Sequence, residues 1–168
     1  WISTLEVDKQ GRIWVAYNGG GFSIYTPEND KFTHFPSGTS GLGSNTIQYL
    51  HCDRDGEMWA YISPNQIARL SDKSPIVRPL HPDTLVTHTS ALAVNIFEDQ
   101  RTPGLLWFCG NGLFSYNKIT HEWNSFSIQH TVNPYQEFNY YTNGIALKDG
   151  RVVLSAWGTG VTVYNPNN

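Results

Sequence analysis

Charged residues are scarce in this sequence of 168 residues, and neither sign is in marked excess. Lys, Arg, Asp and Glu together make up 15%, against about 25% in an average globular protein, and the formal net charge is −3. Because disordered segments combine low hydrophobicity with high net charge, the sequence is predicted to fold. The lack of a basic surplus also excludes the electrostatic field that nucleic acids and anionic membranes attract, so neither is expected as a partner.

Cysteine and long apolar runs are equally rare. The two cysteines, Cys52 and Cys109, are too few for a disulfide framework, and each lies in an apolar, strand-like stretch. A free cysteine there behaves as a small hydrophobe, and whether these two pair is left open. The longest apolar stretch, near 91–97, is interrupted by Asn95 and is too short to cross a bilayer. Direct membrane insertion by this segment is therefore not expected.

Aromatic residues, by contrast, are abundant at 14%, and half of the six tryptophans belong to a repeat. The repeat has a Gly followed three residues later by Trp, and Val replaces the Trp in the fourth copy. The marker positions are Trp14, Trp59, Trp107 and Val153, with spacings of 45, 48 and 46 residues. Each copy contains short alternating runs separated by turns rich in Gly, Asp, Asn and Pro. This pattern predicts an antiparallel meander of four strands.

A four-stranded unit that recurs about every 45 residues is typical of a β-propeller blade. We therefore predict an all-β propeller segment with four blades, the last of them incomplete, and expect the tryptophans to be buried between blades at equivalent positions. A β-sandwich is the alternative fold. It is less favoured, because a sandwich would not repeat the Gly-x-x-Trp step. The predicted blades cover about 1–36, 45–80, 91–127 and 141–168.

The first blade also resembles a known family. Asp-x-x-Gly-x-x-Trp at 8–14, Gly-Gly-Gly-Phe-x-x-Tyr at 19–25, and the segments Pro27–Phe35 and Pro36–Asn45 are similar to the two-component regulator propeller repeat. That resemblance implies a seven-bladed propeller in the extracytoplasmic sensor half of a Bacteroidetes-type hybrid two-component system. It also implies a membrane receptor with a histidine kinase and a phosphorelay, and a periplasmic or extracellular location. Later copies depart from the pattern, with Gln66 in place of a Gly and Val153 in place of Trp.

The fourth copy stops at Tyr164–Pro166, where the turn to its fourth strand should begin. We expect the segment to be part of a larger propeller, whose remaining blades and downstream domains in the same chain are its partners. An open sheet edge and uncovered blade faces are liabilities, so these residues alone are expected to fold poorly or to associate. The chain begins at Trp1 and shows no signal peptide, which indicates nothing about location.

Candidate binding residues lie on the blade face that carries the loops between second and third strands and the links between blades. Loops on a rigid scaffold often bind ligands, and aromatic rings beside amides suit sugars. An oligosaccharide ligand is therefore expected at this face. The alternative is that the tyrosines only fill the blade junctions. The candidates are Tyr17, Asn18, Asn65, Asn111, Tyr140, Tyr141 and Trp157.

No catalytic residue, metal site or cofactor is predicted. The aspartates of the repeat start tight turns, where Asp accepts backbone N–H groups and Gly supplies positive φ. They are Asp8, Asp53, Asp99 and Asp149. The histidines show no ligand spacing, although His81 and His88 share a loop. We expect a non-enzymatic ligand-sensing propeller; the alternatives are a structural or protein-interaction propeller and a segment of a propeller glycosidase or lyase.

Overall fold

The computed structural model shows an all-β fold of short antiparallel sheets. It describes residues 1–42, 46–63, 66–73, 76–80, 95–126, 140–156 and 160–166. Among these residues, three sheets have four strands and one has three, and within each sheet the strands follow one another in sequence order. The chain divides into two compact units, Trp1–His81 and Pro82–Asn168. The predicted antiparallel meander of four strands is confirmed in the first three copies.

The first unit holds two four-stranded sheets. Blade 1 consists of β1 (Ile2–Val7), β2 (Ile13–Tyr17), β3 (Phe22–Thr26) and β4 (Lys31–Phe35). A 3-10 turn at Pro27–Asn29 precedes β4, and the one-turn helix α1 (Ser37–Ser40) follows it. Blade 2 consists of β5 (Ile47–Cys52), β6 (Met58–Ile62), β7 (Gln66–Leu70) and β8 (Val77–Leu80).

The second unit repeats this arrangement with one strand fewer. Blade 3 consists of β9 (Asn95–Glu98), β10 (Leu105–Gly110), β11 (Gly112–Asn117) and β12 (Trp123–Phe126). Blade 4 consists of β13 (Tyr141–Ala146), β14 (Val152–Ala156) and β15 (Gly160–Tyr164).

Alternate side chains of neighbouring blades form the core of the first unit. Successive residues of a strand point to opposite faces, so Trp14 and Ala16 of β2 lie on one face with Phe22 and Ile24 of β3. This face of blade 1 packs against residues of blade 2 in a single buried cluster. The ring of Phe22 stacks on Trp14 at 5.3 Å and on Phe35 at 4.7 Å. The blade 2 members are Ile47, Leu50, Met58, Ala60, Ile62, Ala68, Leu70 and Val77.

The second unit has an equivalent core between blades 3 and 4. Trp107 of β10 packs against Phe126 of its own blade at 5.1 Å and shares a buried cluster with Val152 and Leu154 of β14. Trp14 and Trp107 therefore lie between blades, as predicted. Trp59 holds the same position in its own sheet and is only 1% exposed.

Both cysteines are free thiols in the structure. Cys109 is buried in the core of the second unit, and this burial raises its pKa to about 12. Cys52 is half-buried on β5, and its pKa is also raised, first by burial. Both thiols are therefore protonated at neutral pH and act as small core side chains.

His51 is a half-buried histidine on the first strand of blade 2. Burial lowers its pKa, although the charges of Glu6 and Asp53 oppose the shift. A histidine whose folded pKa lies below the unfolded value is protonated first in the unfolded chain, so stability falls as the pH drops below about 6.5. We expect urea titrations at pH 7.5 and 5.5 to show a smaller loss of stability for His51→Leu than for the wild type. An equal loss in both proteins would contradict this assignment.

Within the described residues, no helix is both long and apolar enough to cross a membrane.

Candidate functional site

The aspartate of the first turn is tied into the protein by four hydrogen bonds. Asp8 follows β1, and its Oδ1 accepts the backbone N–H groups of Gln10 at 3.0 Å and Arg12 at 2.9 Å. Its Oδ2 accepts the indole Nε1–H of Trp14 at 2.8 Å and the guanidinium Nε–H of Arg12 at 2.7 Å. The carboxylate therefore fixes the turn and the tryptophan of the next strand together.

The same arrangement recurs in the next two copies. Asp53 accepts two backbone N–H groups at 2.9 Å, and its Oδ2 accepts Trp59 Nε1–H at 2.8 Å. Asp99 accepts backbone N–H groups at 2.9 and 2.7 Å, and its Oδ2 accepts Trp107 Nε1–H at 3.1 Å. The turn role predicted for these aspartates is confirmed, and the bond to tryptophan adds a second role.

The fourth copy departs from the pattern: Asp149 keeps the predicted turn role, since its Oδ1 accepts the backbone N–H of Arg151 at 3.0 Å, but it does not hold the position of Asp8. Leu147 makes the backbone bonds that Asp8 makes in the first copy, and Asp149 lies two residues later. Asp149 is exposed and pairs with Arg151 at 2.6 Å. The missing carboxylate coincides with the missing indole, because Val153 stands six residues after Leu147, as Trp14 does after Asp8. The two substitutions remove both partners of one hydrogen bond.

The protonation state of Asp8 fits a structural role. Burial alone would raise the pKa of its carboxyl group, but the hydrogen bonds from Trp14 and Arg12 outweigh it, and the pKa is lowered. A carboxylate that is buried, ionised and bonded to four donors has no free proton to give. Asp8, Asp53 and Asp99 therefore have a structural role, in which each carboxylate bonds the backbone of its turn and the indole N–H of a tryptophan.

Two of the predicted asparagines hold successive blades together. Asn18 follows β2 and forms an isolated bridge with Thr46, which lies just before the first strand of blade 2. Asn111 follows β10 and forms the same bridge with Tyr140, just before the first strand of blade 4. Thr46 Oγ1 donates to Asn18 Oδ1 at 3.0 Å, which leaves the exposed amide NH₂ free of any acceptor among the described residues.

The remaining candidates have different environments. Tyr17 ends β2 and is half-buried, and Tyr140 is also half-buried. Tyr141 is 0% exposed in the core of the second unit, where burial raises its pKa to about 12; this favours packing as its role. Asn65 and Trp157 lie outside the described residues. A ligand contact by any of the candidates stays a prediction.

Tyr17 and Asn18 share a shallow cleft of about 510 Å³. Tyr17 and Ser23 are each one residue from a core position, so they lie on the face of blade 1 that points away from blade 2. The Tyr17 hydroxyl donates to Ser23 Oγ at 3.2 Å, and Ser23 Oγ lies 3.0 Å from His34 Nδ1. Exposed aromatic surface is added by Trp1 and Phe32, which are 87% and 61% exposed. The cleft thus offers flat rings beside amide, hydroxyl and imidazole groups.

The Gly19–Gly21 turn shapes one wall of this cleft. Tyr17 N–H donates to the Gly21 carbonyl at 3.0 Å, which closes the turn between β2 and β3. Gly19 and Gly21 have φ values of +93° and +78°, a conformation that side chains disfavour. The turn therefore holds Asn18 at the exposed rim with little side-chain bulk around it.

Ser23, Phe32 and His34 were not among the predicted contacts. The signal for them is the strand register, since Ser23 lies opposite His34 and Tyr25 lies opposite Phe32 across β3 and β4. Residues directly opposite in an antiparallel pair share a face, so alternation along both strands would have placed them beside Tyr17.

A metal centre is not formed by the residues in the described ranges, which hold no group of three or more possible ligands. His81 and His88 lie outside those ranges.

Solved structures resemble this chain over nearly its whole length. The extracellular domain assigned to the hybrid two-component system BT3049 of B. thetaiotaomicron matches 99% of the chain with 21% identity and a TM-score of 0.72. That assigned to BT4673 matches 98% with 18% identity and a TM-score of 0.71. The WD40 β-propeller domain of Doa1 matches 98% with 13% identity and a TM-score of 0.68. The fold is a β-propeller.

The chain spans about a fifth of the two extracellular domains, 22% and 20% of their lengths, and 51% of the Doa1 domain. At these identities the likeness establishes the fold. The two extracellular domains come from the class of receptor that the repeat motif resembles. No model of a protein family and no curated protein matches the sequence.

Proposed function

We propose that this chain is a segment of the ligand-sensing propeller of a two-component signalling receptor, and that it recognises a polysaccharide fragment. The exposed amide of Asn18, at the rim of the cleft and on the side of the loops between second and third strands, carries the proposal. The structural likeness to two extracellular receptor domains supports a sensor role and a periplasmic or extracellular location. The segment itself is non-enzymatic in this proposal, and a histidine kinase elsewhere in the parent chain starts the phosphorelay.

The chemistry of the cleft suits a sugar. A pyranose ring has an apolar face that packs on aromatic rings and a rim of hydroxyl groups that exchange hydrogen bonds. Tyr17 supplies an aromatic ring beside the glycine turn, and the Asn18 amide supplies a polar group at the exposed rim. The cleft is open rather than enclosed by side chains, so an oligosaccharide could extend beyond it.

A ligand transmits a signal only if it binds one arrangement of the receptor more tightly than another. The Asn18–Thr46 bridge links the cleft to the start of blade 2. A sugar bound to Asn18 would therefore act on a residue that joins two blades, and the remaining blades and downstream domains would respond.

Calorimetric titration of the full-length protein with an oligosaccharide panel tests this proposal. For a saccharide bound by the wild type, Asn18→Ala should weaken affinity about tenfold, the value of one hydrogen bond. Phe32→Ala should leave affinity unchanged, because the equivalent residue of blade 2, Val77, is buried between blades. Asn29→Ala and Ile119→Ala are matched controls, because both residues are exposed and lie outside the cleft. Equal affinity of all four variants would contradict a ligand site in this cleft.

A protein-interaction propeller is the second candidate. The same titration separates the two functions, since this candidate predicts that no member of the panel binds.

A further inference from the structure

A second cleft in the first unit lies at the opposite end of the strands from the Gly19–Gly21 turn. It has a volume of about 250 Å³ and is bordered by the Asp8 turn of blade 1 and the ends of β6 and β7 in blade 2. Three arginines line it: Arg12, Arg69 and Arg78. None of the three lines the cleft of Tyr17 and Asn18.

Two of these arginines are already paired. Arg12 donates from Nε to Asp8 at 2.7 Å and from Nη1 to Asp72 at 2.6 Å, which joins blade 1 to blade 2. Arg69 donates from Nη1 to Glu57 at 2.6 Å. Among the described residues, Arg78 has neither an ion pair nor a hydrogen bond from its side chain, although the three carboxylates of the lining, Asp8, Glu57 and Asp72, balance the three arginines in formal charge.

The guanidinium group of Arg78 lies across the sheet from that of Arg69. Arg78 of β8 is opposite Arg69 of β7 in the strand register, so the two side chains leave the sheet on the same face. Like charges at directly opposed positions destabilise a sheet unless a counter-charge lies near them. The arrangement is favourable when an anion binds both groups.

Unused hydrogen-bond donors surround this pair. The Nε–H of Arg69 is buried and has no acceptor within the described part of the chain. A buried donor of this kind costs stability until an acceptor reaches it. Ser71 also lines the cleft; its Oγ accepts the backbone N–H of Lys73 at 3.0 Å and keeps its own hydrogen to donate.

We propose that this cleft is an oxyanion site, which binds a carboxylate or sulfate group between Arg69 and Arg78, with Ser71 as a further donor. Guanidinium groups match the oxygens of such anions, often in two parallel hydrogen bonds. The equivalent cleft of the second unit is lined by one arginine, Arg101, whose Nη1 donates to the Asp149 carbonyl at 3.0 Å. Among the described residues, the lining by three arginines is a feature of the cleft in the first unit.

Ligand-induced thermal stabilisation of the purified full-length protein tests the site. Sodium sulfate and sodium acetate are the two probes, and sodium chloride at equal ionic strength is the reference. Both oxyanions should raise the melting temperature above the chloride reference, because binding to the folded state alone stabilises it. Arg78→Gln should weaken the apparent affinity at least tenfold, as expected for the loss of a charged hydrogen bond.

Two further variants separate the site from general salt effects. Lys31→Gln removes one exposed positive charge from β4, outside the cleft, and should keep the wild-type response, including the general stabilisation by sulfate. Arg69→Lys keeps the charge beside Glu57 but removes the Nε donor, and it should weaken binding as Arg78→Gln does. Equal responses of wild type, Arg78→Gln and Arg69→Lys, or equal effects of chloride and oxyanions, would overturn the proposal.

Discussion

Asp8→Ala should lower the free energy of unfolding by about 3 kcal/mol, since it removes several hydrogen bonds to a charged group and leaves their buried donors unpaired. The variant loses the acceptor of Trp14 Nε1–H and of two backbone N–H groups in the turn. Arg12 also loses one of its two carboxylate partners. Chemical denaturation followed by tryptophan fluorescence measures the change.

Asp149→Ala is the matched control for this prediction. Asp149 occupies a turn of the same repeat, but it is exposed, and within the described residues its carboxylate bonds to Arg151. Its removal should leave the denaturation midpoint close to that of the wild type. Similar losses in the two variants would show that the aspartate acts through turn geometry rather than through the tryptophan.

The repeat made the architecture predictable, because its spacing and alternation are set by the physics of a four-stranded blade. The separate roles of Asp8 and Trp14 were also predictable, the first from turn chemistry and the second from burial. Their hydrogen bond was not, since it depends on how a turn folds the carboxylate back onto the next strand. The joint change to Leu147 and Val153 in the fourth copy was a signal that the two positions act as a pair.

The candidate site was predictable only where it lies on a loop. Tyr17 and Asn18 adjoin a glycine turn that the sequence shows directly. Ser23 and His34 come together through the pairing of β3 with β4. A single sequence does not reveal the register of two paired strands. Tyr141 was predicted as a candidate ligand contact, but β13 begins at this residue, and its side chain enters the core as Ile47 does in blade 2.

Gly21→Ala should be more destabilising than the chemically identical change two residues earlier. A Cβ at Gly21 would lie 2.2 Å from the Phe35 carbonyl oxygen and 2.9 Å from the Ser37 nitrogen, so backbone must move to admit it. The residue also has a φ of +78°, which itself costs alanine about 1–2 kcal/mol. Strain and overpacking together should lower the free energy of unfolding by about 3 kcal/mol.

Gly19→Ala isolates the contribution of the backbone conformation. Its φ is +93°, and nothing lies within 4 Å of an added Cβ, so only the conformational cost of about 1–2 kcal/mol applies. The Gly21 carbonyl accepts the Tyr17 N–H and so closes the turn that contains Asn18. Gly21→Ala should therefore also weaken binding of any saccharide that the wild type binds. Denaturation and calorimetry on both variants measure the two effects. Equal stability of Gly19→Ala and Gly21→Ala would mean that β4 gives way to the methyl group without cost, and that the turn does not depend on the close approach of Phe35.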